Sequence, residues 1–236
     1  MSISIIDSGL SLAQRTMEMD ENLLKATSTK VILHFYEWES PTITYGHFMK
    51  LDPFLNNSLI KQKRIQLAKR PTGGGITFHD SHFTYSICIP SNSVYYKLSP
   101  LEHYKLINEN VLKVIKKVIP LDLISLYENV ESCADSVLDK FCMAKISPYD
   151  ILLKGIKIGG GAQRRTKHAF LHQGFISLSL PDNDFWRDIF LNNSQLIPNS
   201  IQTNSTYLLN STLELKPSAL KEKLKKYFID VFSELF

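Results

Sequence analysis

The sequence predicts a mixed α+β protein in which helices pack on a largely antiparallel sheet. Three observations predict it. Short β-branched and aromatic runs, such as Val31–Trp38 and Phe83–Ile89, are punctuated by Gly and Pro. Lys154-Gly155 stands between two further runs, Tyr149–Leu153 and Ile156–Ile158, as the turn of a hairpin. Two long stretches, Pro100–Val118 and Ala219–Leu235, instead repeat apolar residues at helical spacing.

Ser2–Ile6 reads as a short strand. A helix follows from about Leu10 to Lys25, with Leu10, Leu12, Met17, Leu23 and Leu24 as its apolar stripe. Val31–Trp38 and, after Pro41, Thr42–Tyr45 are strands, the second ending at Gly46. Trp38 and Tyr45 are expected to pack the core. Ile65–Lys69 leads into a first glycine triplet, and Phe83–Ile89 is a strand closed by Pro90. Ser99 suits the cap of the next helix, Pro100 its first position, and Glu102 completes a capping box. Leu101, Tyr104, Ile107, Val111, Leu112, Ile115 and Val118 then share a face, and Pro120 marks the end. Phe175–Leu180 is a strand, and the Asn- and Ser-rich stretch Asn192–Ser211 a surface excursion. Leu220, Leu224, Phe228, Val231 and Leu235 form the apolar side of the last helix.

With 236 residues, 44% of them apolar and 21% charged, the chain suits one large domain with a sizeable core. Cys88, Cys133 and Cys142 make no even-numbered framework and no Cys-x-x-Cys pair, which argues for a reducing compartment and against structural zinc. The stretch Met1–Asp7 lacks the basic region and long apolar core of a signal peptide. No run approaches the roughly 18 apolar residues of a membrane span. A cytoplasmic protein without membrane association is expected. The net charge of +4 is mild, but its placement is informative. Lys61, Lys63, Arg64, Lys69 and Arg70 precede the first glycine triplet; Lys154, Lys157, Arg164, Arg165 and Lys167 surround the second. Such a rim steers an acidic partner. Aromatics are not interleaved with these cations, so a nucleic-acid surface is not expected.

The chemistry concentrates in two stretches. The first is Arg70-Pro71-Thr72-Gly73-Gly74-Gly75-Ile76-Thr77-Phe78-His79-Asp80, the second Lys157-Ile158-Gly159-Gly160-Gly161-Ala162-Gln163-Arg164. Three residues without Cβ let a ligand lie against backbone N–H groups, and Arg70 and Lys157 supply positive charge. A pocket for an anionic, acyl-bearing ligand follows. Neither stretch is a P-loop or reads Gly-x-Gly-x-x-Gly, and a pair of hairpin turns is the simpler alternative.

These residues resemble the lipoate ligase, octanoyltransferase and biotin ligase superfamily. Trp38-x-x-Pro41-Thr42-Ile43-x-Tyr45-Gly46 is similar to its early strand pair, and Arg70-Pro71-Thr72-Gly73-Gly74-Gly75-x-x-x-His79-Asp80 to its lipoate-type glycine loop. Gly155-x-Lys157-Ile158-x-Gly160-x-Ala162-Gln163-x-Arg165 resembles the segment with the family's key lysine, and Met19-Asp20-Glu21 also fits. The resemblance implies a class II synthetase-like catalytic domain spanning residues 1–236, without the C-terminal accessory domain of many lipoate ligases. It implies attachment of an octanoyl or lipoyl group to a lysine of lipoyl domains, those of 2-oxoacid dehydrogenase complexes or the glycine cleavage H protein. A monomer is expected. The biotin branch is disfavoured, since its glycine-arginine-rich adenylate loop is not seen.

Two chemistries remain open. In the first, Cys142 takes the acyl group from acyl carrier protein as a thioester, with Lys157 and glycine-loop N–H groups on the oxyanion. Cys142-Met143-Ala144-Lys145-Ile146-Ser147-Pro148-Tyr149-Asp150 and Thr84-Tyr85-Ser86 resemble the cysteine-dependent octanoyltransferases. In the second, lipoate is activated by ATP and Mg²⁺. Lys157 then bridges the acyl carbonyl and the α-phosphate, Arg70, Thr72 and Gly73–Gly75 hold nucleotide, and Asp150 helps place the metal. Gly160 and Ala162 belong to the substrate site either way. No tightly bound cofactor is expected. His79 is a candidate proton shuttle or a structural His-Asp partner. Leu171-His172-Gln173-Gly174 inverts the family's usual Gln-His-Gly order, which along a strand moves the imidazole to the opposite face. Cys88 belongs in the core, and Cys133 has acidic neighbours that oppose a thiolate. A third possibility is a silent module that binds lipoyl domains or lipoate.

Overall fold

The computed structural model describes residues 1–26, 28–51, 54–119, 122–129, 137–179, 183–191, 196–210 and 216–236. Cys133, Pro120, Leu180 and part of the Asn192–Ser211 stretch lie outside the described residues. The strands are β1 (Ile3–Ser11), β2 (Val31–Trp38), β3 (Thr42–Tyr45), β4 (Gln66–Lys69), β5 (Ile76–His79), β6 (His82–Pro90), β7 (Ile124–Leu126), β8 (Ile151–Leu153), β9 (Ile156–Arg165) and β10 (Ala169–Ser177). The helices are α1 (Ala13–Lys25), α2 (Asn57–Gln62), α3 (Pro100–Val118), α4 (Asn183–Arg187), α5 (Leu196–Asn204) and α6 (Pro217–Leu235). Among the described residues, no helix is long and apolar enough to cross a membrane.

Seven strands form one sheet in the order β1-β2-β6-β10-β9-β8-β7, and β4-β3-β5 form a second. Among the described strands of the large sheet, only β1 and β2 run parallel. Helices α3 and α6 cover one face of it, where Ile107, Val111 and Phe228 pack on Leu33, Tyr85 and Phe170. Helix α1 covers the other face through Met17 against Tyr36 and Leu24 against Cys88 and Leu171. The small sheet has its own core, in which Ile43, Ile76 and Phe78 meet Phe141, Trp186 and Ile197. The period-two alternation of β10 divides these faces: Phe170 joins the α3 side and Leu171 the α1 side.

Helix α3 has the predicted bounds and capping box, Ser99 accepting from the Glu102 N–H while the Glu102 side chain accepts from the Ser99 N–H. The β8–β9 hairpin turns at Lys154 and Gly155, both at positive φ. Three expectations are corrected. Strand β1 continues to Ser11, pairing Leu10 with Glu37 and Ser11 with Trp38, so α1 begins only at Ala13. Leu10 and Leu12 are accordingly exposed rather than part of the helical stripe. The second glycine triplet is neither loop nor turn: Gly159, Gly160 and Gly161 lie inside β9, opposite Ile176, Phe175 and Gly174.

Candidate active site

The first glycine triplet links β4 to β5, and Arg70 is its internal brace. Arg70 Nη2 donates to the carbonyls of Gly75 (2.7 Å) and Gly73 (3.2 Å), while Nη1 donates to Thr44 Oγ1 (2.7 Å) and Thr77 Oγ1 (3.3 Å). The guanidinium thus curls the loop around itself. Gly74 adopts φ +83°, a conformation costly for any residue with a Cβ. The loop packs so that an added Cβ on Gly74 would lie 3.8 Å from the Cys142 sulfur.

Cys142 reaches this loop because its backbone is fixed from two sides. Its N–H donates to the Ile76 carbonyl at 2.9 Å, beside a parallel bridge between Ile76 and Phe141. Its carbonyl accepts from Lys157 Nζ at 2.8 Å. Burial raises the thiol pKa, but Arg70, Lys157, the Thr77 hydroxyl and the Gly75 N–H outweigh it and hold the value below that of an ordinary cysteine. Cys88, by contrast, is buried without such donors and pushed up to about 12. Of the two described cysteines, only Cys142 is suited to nucleophilic work.

Lys157 projects from β9 into a closed polar cluster. Nζ meets Asp150 Oδ2 at 2.6 Å, and also donates to the carbonyls of Cys142 (2.8 Å) and Lys145 (3.3 Å). These three acceptors use all three ammonium hydrogens. Asp150 is fully buried and further receives the Ser147 N–H at 2.7 Å and the Tyr104 hydroxyl at 2.6 Å. Tyr104 itself accepts from the Gly161 N–H at 2.8 Å. Burial first, and then the neighbouring Asp150, push the Tyr104 phenol well above its ordinary value, which keeps it a donor. Gly160 is where this cluster needs a glycine. A Cβ there would meet Asp150 Oδ1 at 2.6 Å and Tyr104 Oη at 3.1 Å.

Behind the loop lies a second buried network. Thr72 Oγ1 donates to Gln173 Oε1 (2.7 Å), and Gln173 Nε2 donates to Asp20 Oδ2 (2.6 Å). Asp20 Oδ1 accepts from Ser86 (2.7 Å) and meets His34 Nδ1 at 2.8 Å. The inverted His172-Gln173 pair explains this placement. Gln173 faces α1, whereas the His172 imidazole is on the α3 side, stacked on Tyr85 and bonded at Nδ1 to Gln163. Burial lowers His172 to about 3, so it stays neutral.

Between these networks opens a cavity of about 590 Å³, within the range of small-molecule sites. Met17, Tyr36, Trp38 and Phe175 supply apolar lining, Arg70, Asp150 and Lys157 its buried charged groups, and Cys142 borders it. Of the sequence-predicted residues, Gly74, Gly75, His79 and Ala162 also line it. Thr72, Gly73 and Gly160 do not, and shape it from behind. Trp38 borders the cavity as well as packing on Tyr36, while Tyr45 packs against the small-sheet core. The two ring nitrogens of His79 meet Thr44 Oγ1 and His82 Nδ1. Sequence reasoning missed Tyr104, Gln173 and Thr77 as site residues. Among the described residues, no group of three or more His, Cys, Asp or Glu side chains is arranged to hold a metal ion.

A family model for the lipoyl protein ligase A/B catalytic domain matches residues 13–229. The chain belongs to that family. This lipoyl protein ligase A/B domain is 29% identical over 236 residues to octanoyltransferase LipM of Halalkalibacterium halodurans, covering 97% of this chain and 85% of that protein. It is 30% identical over 205 residues to octanoyltransferase LipM of Bacillus subtilis, with 84% and 73% covered. A crystal structure of lipoate-protein ligase A bound with ATP superposes with a TM-score of 0.74 at 19% identity, covering 98% of this chain and 86% of that one. A bi-partite lipoate protein ligase from Thermoplasma acidophilum, analysed with its E2 lipoyl domain, gives 0.72 at 17% identity, with 98% and 84% covered. At such identities the superpositions establish the fold. The lipoyl protein ligase A/B domain is therefore an enzyme of the lipoylation family, with octanoyltransferases as its relatives in sequence and lipoate–protein ligases as its neighbours in fold.

Proposed function

We propose that the chain is an octanoyltransferase that carries the acyl group on Cys142 and delivers it to a lysine of a lipoyl domain. The observation that carries this reading is the Cys142 sulfur at the glycine loop, borne by a cavity and held below the ordinary thiol range by Arg70, Lys157, Thr77 and the Gly75 N–H. The relatives named octanoyltransferase support it.

In the first half-reaction the Cys142 thiolate attacks the thioester carbonyl of an octanoyl-carrier protein. The carbon–sulfur bond to the donor breaks, and the donor leaves as a thiol after taking up a proton. In the second, the neutral amine of the acceptor lysine attacks the acyl-enzyme carbonyl. The Cys142 carbon–sulfur bond breaks, an amide forms, the nitrogen loses its proton and the thiolate returns. Arg70 and the loop N–H groups stabilise both the thiolate and the oxygen on which charge develops. Lys157 fixes the Cys142 segment through two carbonyls and adds positive charge, so its role is positioning as well as electrostatic. The apolar lining of Met17, Tyr36, Trp38 and Phe175 takes the acyl chain.

Activation of lipoate by ATP and Mg²⁺ asks more of this site. Lys157 would have to bridge an acyl carbonyl and a phosphate, yet its three hydrogens are already engaged by Asp150 and two carbonyls. Asp150, engaged by Lys157, Tyr104 and Ser147, would have to turn to a metal. The occupied state of both side chains favours the thioester route.

Intact-protein mass after mixing with octanoyl-carrier protein, without ATP, tests the proposal beside a Cys142→Ala control. A hydroxylamine-labile octanoyl adduct, lost in the control, is expected. Lipoyl-domain modification by the Cys142→Ala variant with lipoate, ATP and Mg²⁺, and no adduct on the parent, would replace the proposal with a ligase.

A further inference from the structure

Beyond Arg70 the polar contacts continue away from Cys142 through four buried side chains. Thr44 Oγ1, which accepts from Arg70 Nη1 at 2.7 Å, lies 2.8 Å from His79 Nε2. His79 Nδ1 and His82 Nδ1 face one another at 3.1 Å, and His82 Nε2 lies 3.1 Å from Ser177 Oγ. Thr44, His79, His82 and Ser177 are each at most 6% exposed. Strand pairing accounts for the alignment: Thr44 is on β3 beside β5, which ends at His79, and Ser177 on β10 pairs directly with His82 on β6.

The direction of these bonds follows from donor and acceptor chemistry. A guanidinium only donates, so one Thr44 lone pair is committed to Arg70. The Thr44 hydrogen is then satisfied by donating to His79 Nε2. That makes Nδ1 the protonated nitrogen of His79, which donates to His82 Nδ1, and leaves His82 Nε2–H to donate to Ser177. The reverse order would aim His79 Nε2–H at Thr44 and strand the Thr44 hydrogen inside the protein, at a cost buried hydroxyls seldom bear. Burial holds both imidazoles below their ordinary value, His82 at about 3, so one proton, not two, occupies the Nδ1–Nδ1 contact.

We propose that Thr44, His79, His82 and Ser177 form an oriented hydrogen-bond relay whose purpose is to fix the Arg70 guanidinium against the Cys142 sulfur. His79 and Thr44 are thus positioning residues for the nucleophile, acting through Arg70. The relay presents Thr44 to Arg70 with its lone pairs forward, and Arg70 in turn favours the Cys142 thiolate. The other charged groups facing Cys142 are Lys157, with its Asp150 partner, from β9 and the preceding segment. Asp139, Lys140 and Lys145 border the same cavity, and Asp139 is paired to Lys145 at 2.7 Å. The hydrogen-bonded link from the relay to the Cys142 site runs through Arg70, and Thr44 and His79 also line the cavity that Cys142 borders. The inference rests on Cys142 as nucleophile, but thiol reactivity is measurable whether or not transfer occurs.

The test is the pH profile of Cys142 alkylation by iodoacetamide, read on the Cys142 peptide by mass spectrometry, with thermal unfolding recorded for each variant. Thr44→Val and His79→Leu are each expected to move the inflection up by about one pH unit, which slows alkylation at neutral pH about tenfold. His79→Gln, whose Oε1 reproduces the acceptor at Nε2, is expected to stay within about twofold of the parent. The double variant Thr44→Val/His79→Leu is expected to match either single change, because both cut one chain. A folded His79→Leu with the parental inflection would overturn the relay, as would a folded His79→Gln no better than His79→Leu. Should His79→Leu fail to fold, an unmoved inflection in Thr44→Val is sufficient to reject it. Absence of an octanoyl adduct with these shifts intact would refute the transferase reading and leave the relay standing.

Discussion

Tyr104→Phe isolates one oxygen atom, and its consequence can be worked from the site. The Tyr104 hydroxyl donates to Asp150 Oδ1 at 2.6 Å and accepts from the Gly161 N–H at 2.8 Å. The first is a charge-assisted bond to a fully buried carboxylate. Bonds of that kind contribute about 1.5–3 kcal/mol. Removing the acceptor of the half-buried Gly161 N–H adds about 1 kcal/mol, at the low end of the cost of an unsatisfied donor. Asp150 keeps Lys157 and the Ser147 N–H, which limits the loss, so the two effects together should come to about 2–4 kcal/mol. For a chain of this size that corresponds to a fall in melting temperature of about 5–15 °C. Tyr95→Phe is the matched control. Its hydroxyl donates to the Leu235 carbonyl, a neutral acceptor, at 2.8 Å, and its loss should cost about 1 kcal/mol. Differential scanning calorimetry of both variants decides the matter. Equal melting temperatures for the two, or a Tyr104→Phe protein within 2–3 °C of the parent (under about 1 kcal/mol), would refute the account of the Lys157–Asp150 cluster. Because Lys157 also holds the Cys142 carbonyl, Tyr104→Phe should slow acylation of Cys142 as well.

The network behind the glycine loop should respond to charge as well as to deletion. Gln173→Leu strips a donor from Asp20 and an acceptor from Thr72, and is expected to lower stability in urea by about 2–4 kcal/mol. Gln173→Glu sets a second carboxylate at the 2.6 Å contact with Asp20. It should be more damaging at pH 8 than at pH 5, where a protonated Glu can donate; equal loss at both would argue against the contact. Acid stability offers a separate check. Burial lowers His82 and His172 to about 3 and His103 to about 4, against an ordinary value near 6.5. Their folded values lie below their unfolded ones, so the unfolded chain binds more protons between about pH 6.5 and 4 and stability falls as pH falls. Each contributes up to about 1.4 kcal/mol per pH unit in that window. His172→Gln should flatten the acid limb by about one proton, measured as melting temperature against pH; an unchanged slope would show that His172 does not titrate in that window.

What the sequence made legible, and what it did not, divides along a physical line. Arg70 and the first glycine triplet were readable as one unit because their residue types have few alternative uses and lie within six positions of each other, whereas Cys142, 67 positions after Gly75, is brought to them by the fold. The capping box of α3 and the Lys154-Gly155 turn were readable because they are local. That the second glycine triplet is strand rather than turn was not legible, because a strand can use glycine for a reason no neighbour in sequence reveals. Gly160 is needed to admit Asp150 and Tyr104, which approach from ten and 56 positions earlier in the chain. Tyr104 showed only as a member of an apolar helical stripe, since its ring packs like one and its oxygen is used by partners that the fold brings there. The bonds joining Thr72 to Gln173 and Gln173 to Asp20 span 101 and 153 residues.

The start of α1 was misplaced for a related reason: Leu10 and Leu12 fit a helical stripe, but pairing of Leu10 and Ser11 with β2 captured that segment for the sheet. The same inheritance from the sheet governs the inverted His172-Gln173 pair. One residue of offset along β10 puts an amide, which both donates and accepts, where it can join Thr72 to Asp20, and puts the imidazole on the opposite face. An imidazole in Gln173's place would have one hydrogen-bonding atom at each end of a rigid ring, whereas the amide turns both toward neighbours little more than 2.5 Å away. The inversion therefore substitutes a compact bridge for a titratable one behind the glycine loop. The Cys142 sulfur is accordingly surrounded by Arg70, Lys157, the Thr77 hydroxyl and the Gly75 N–H, none of which depends on a histidine taking up a proton.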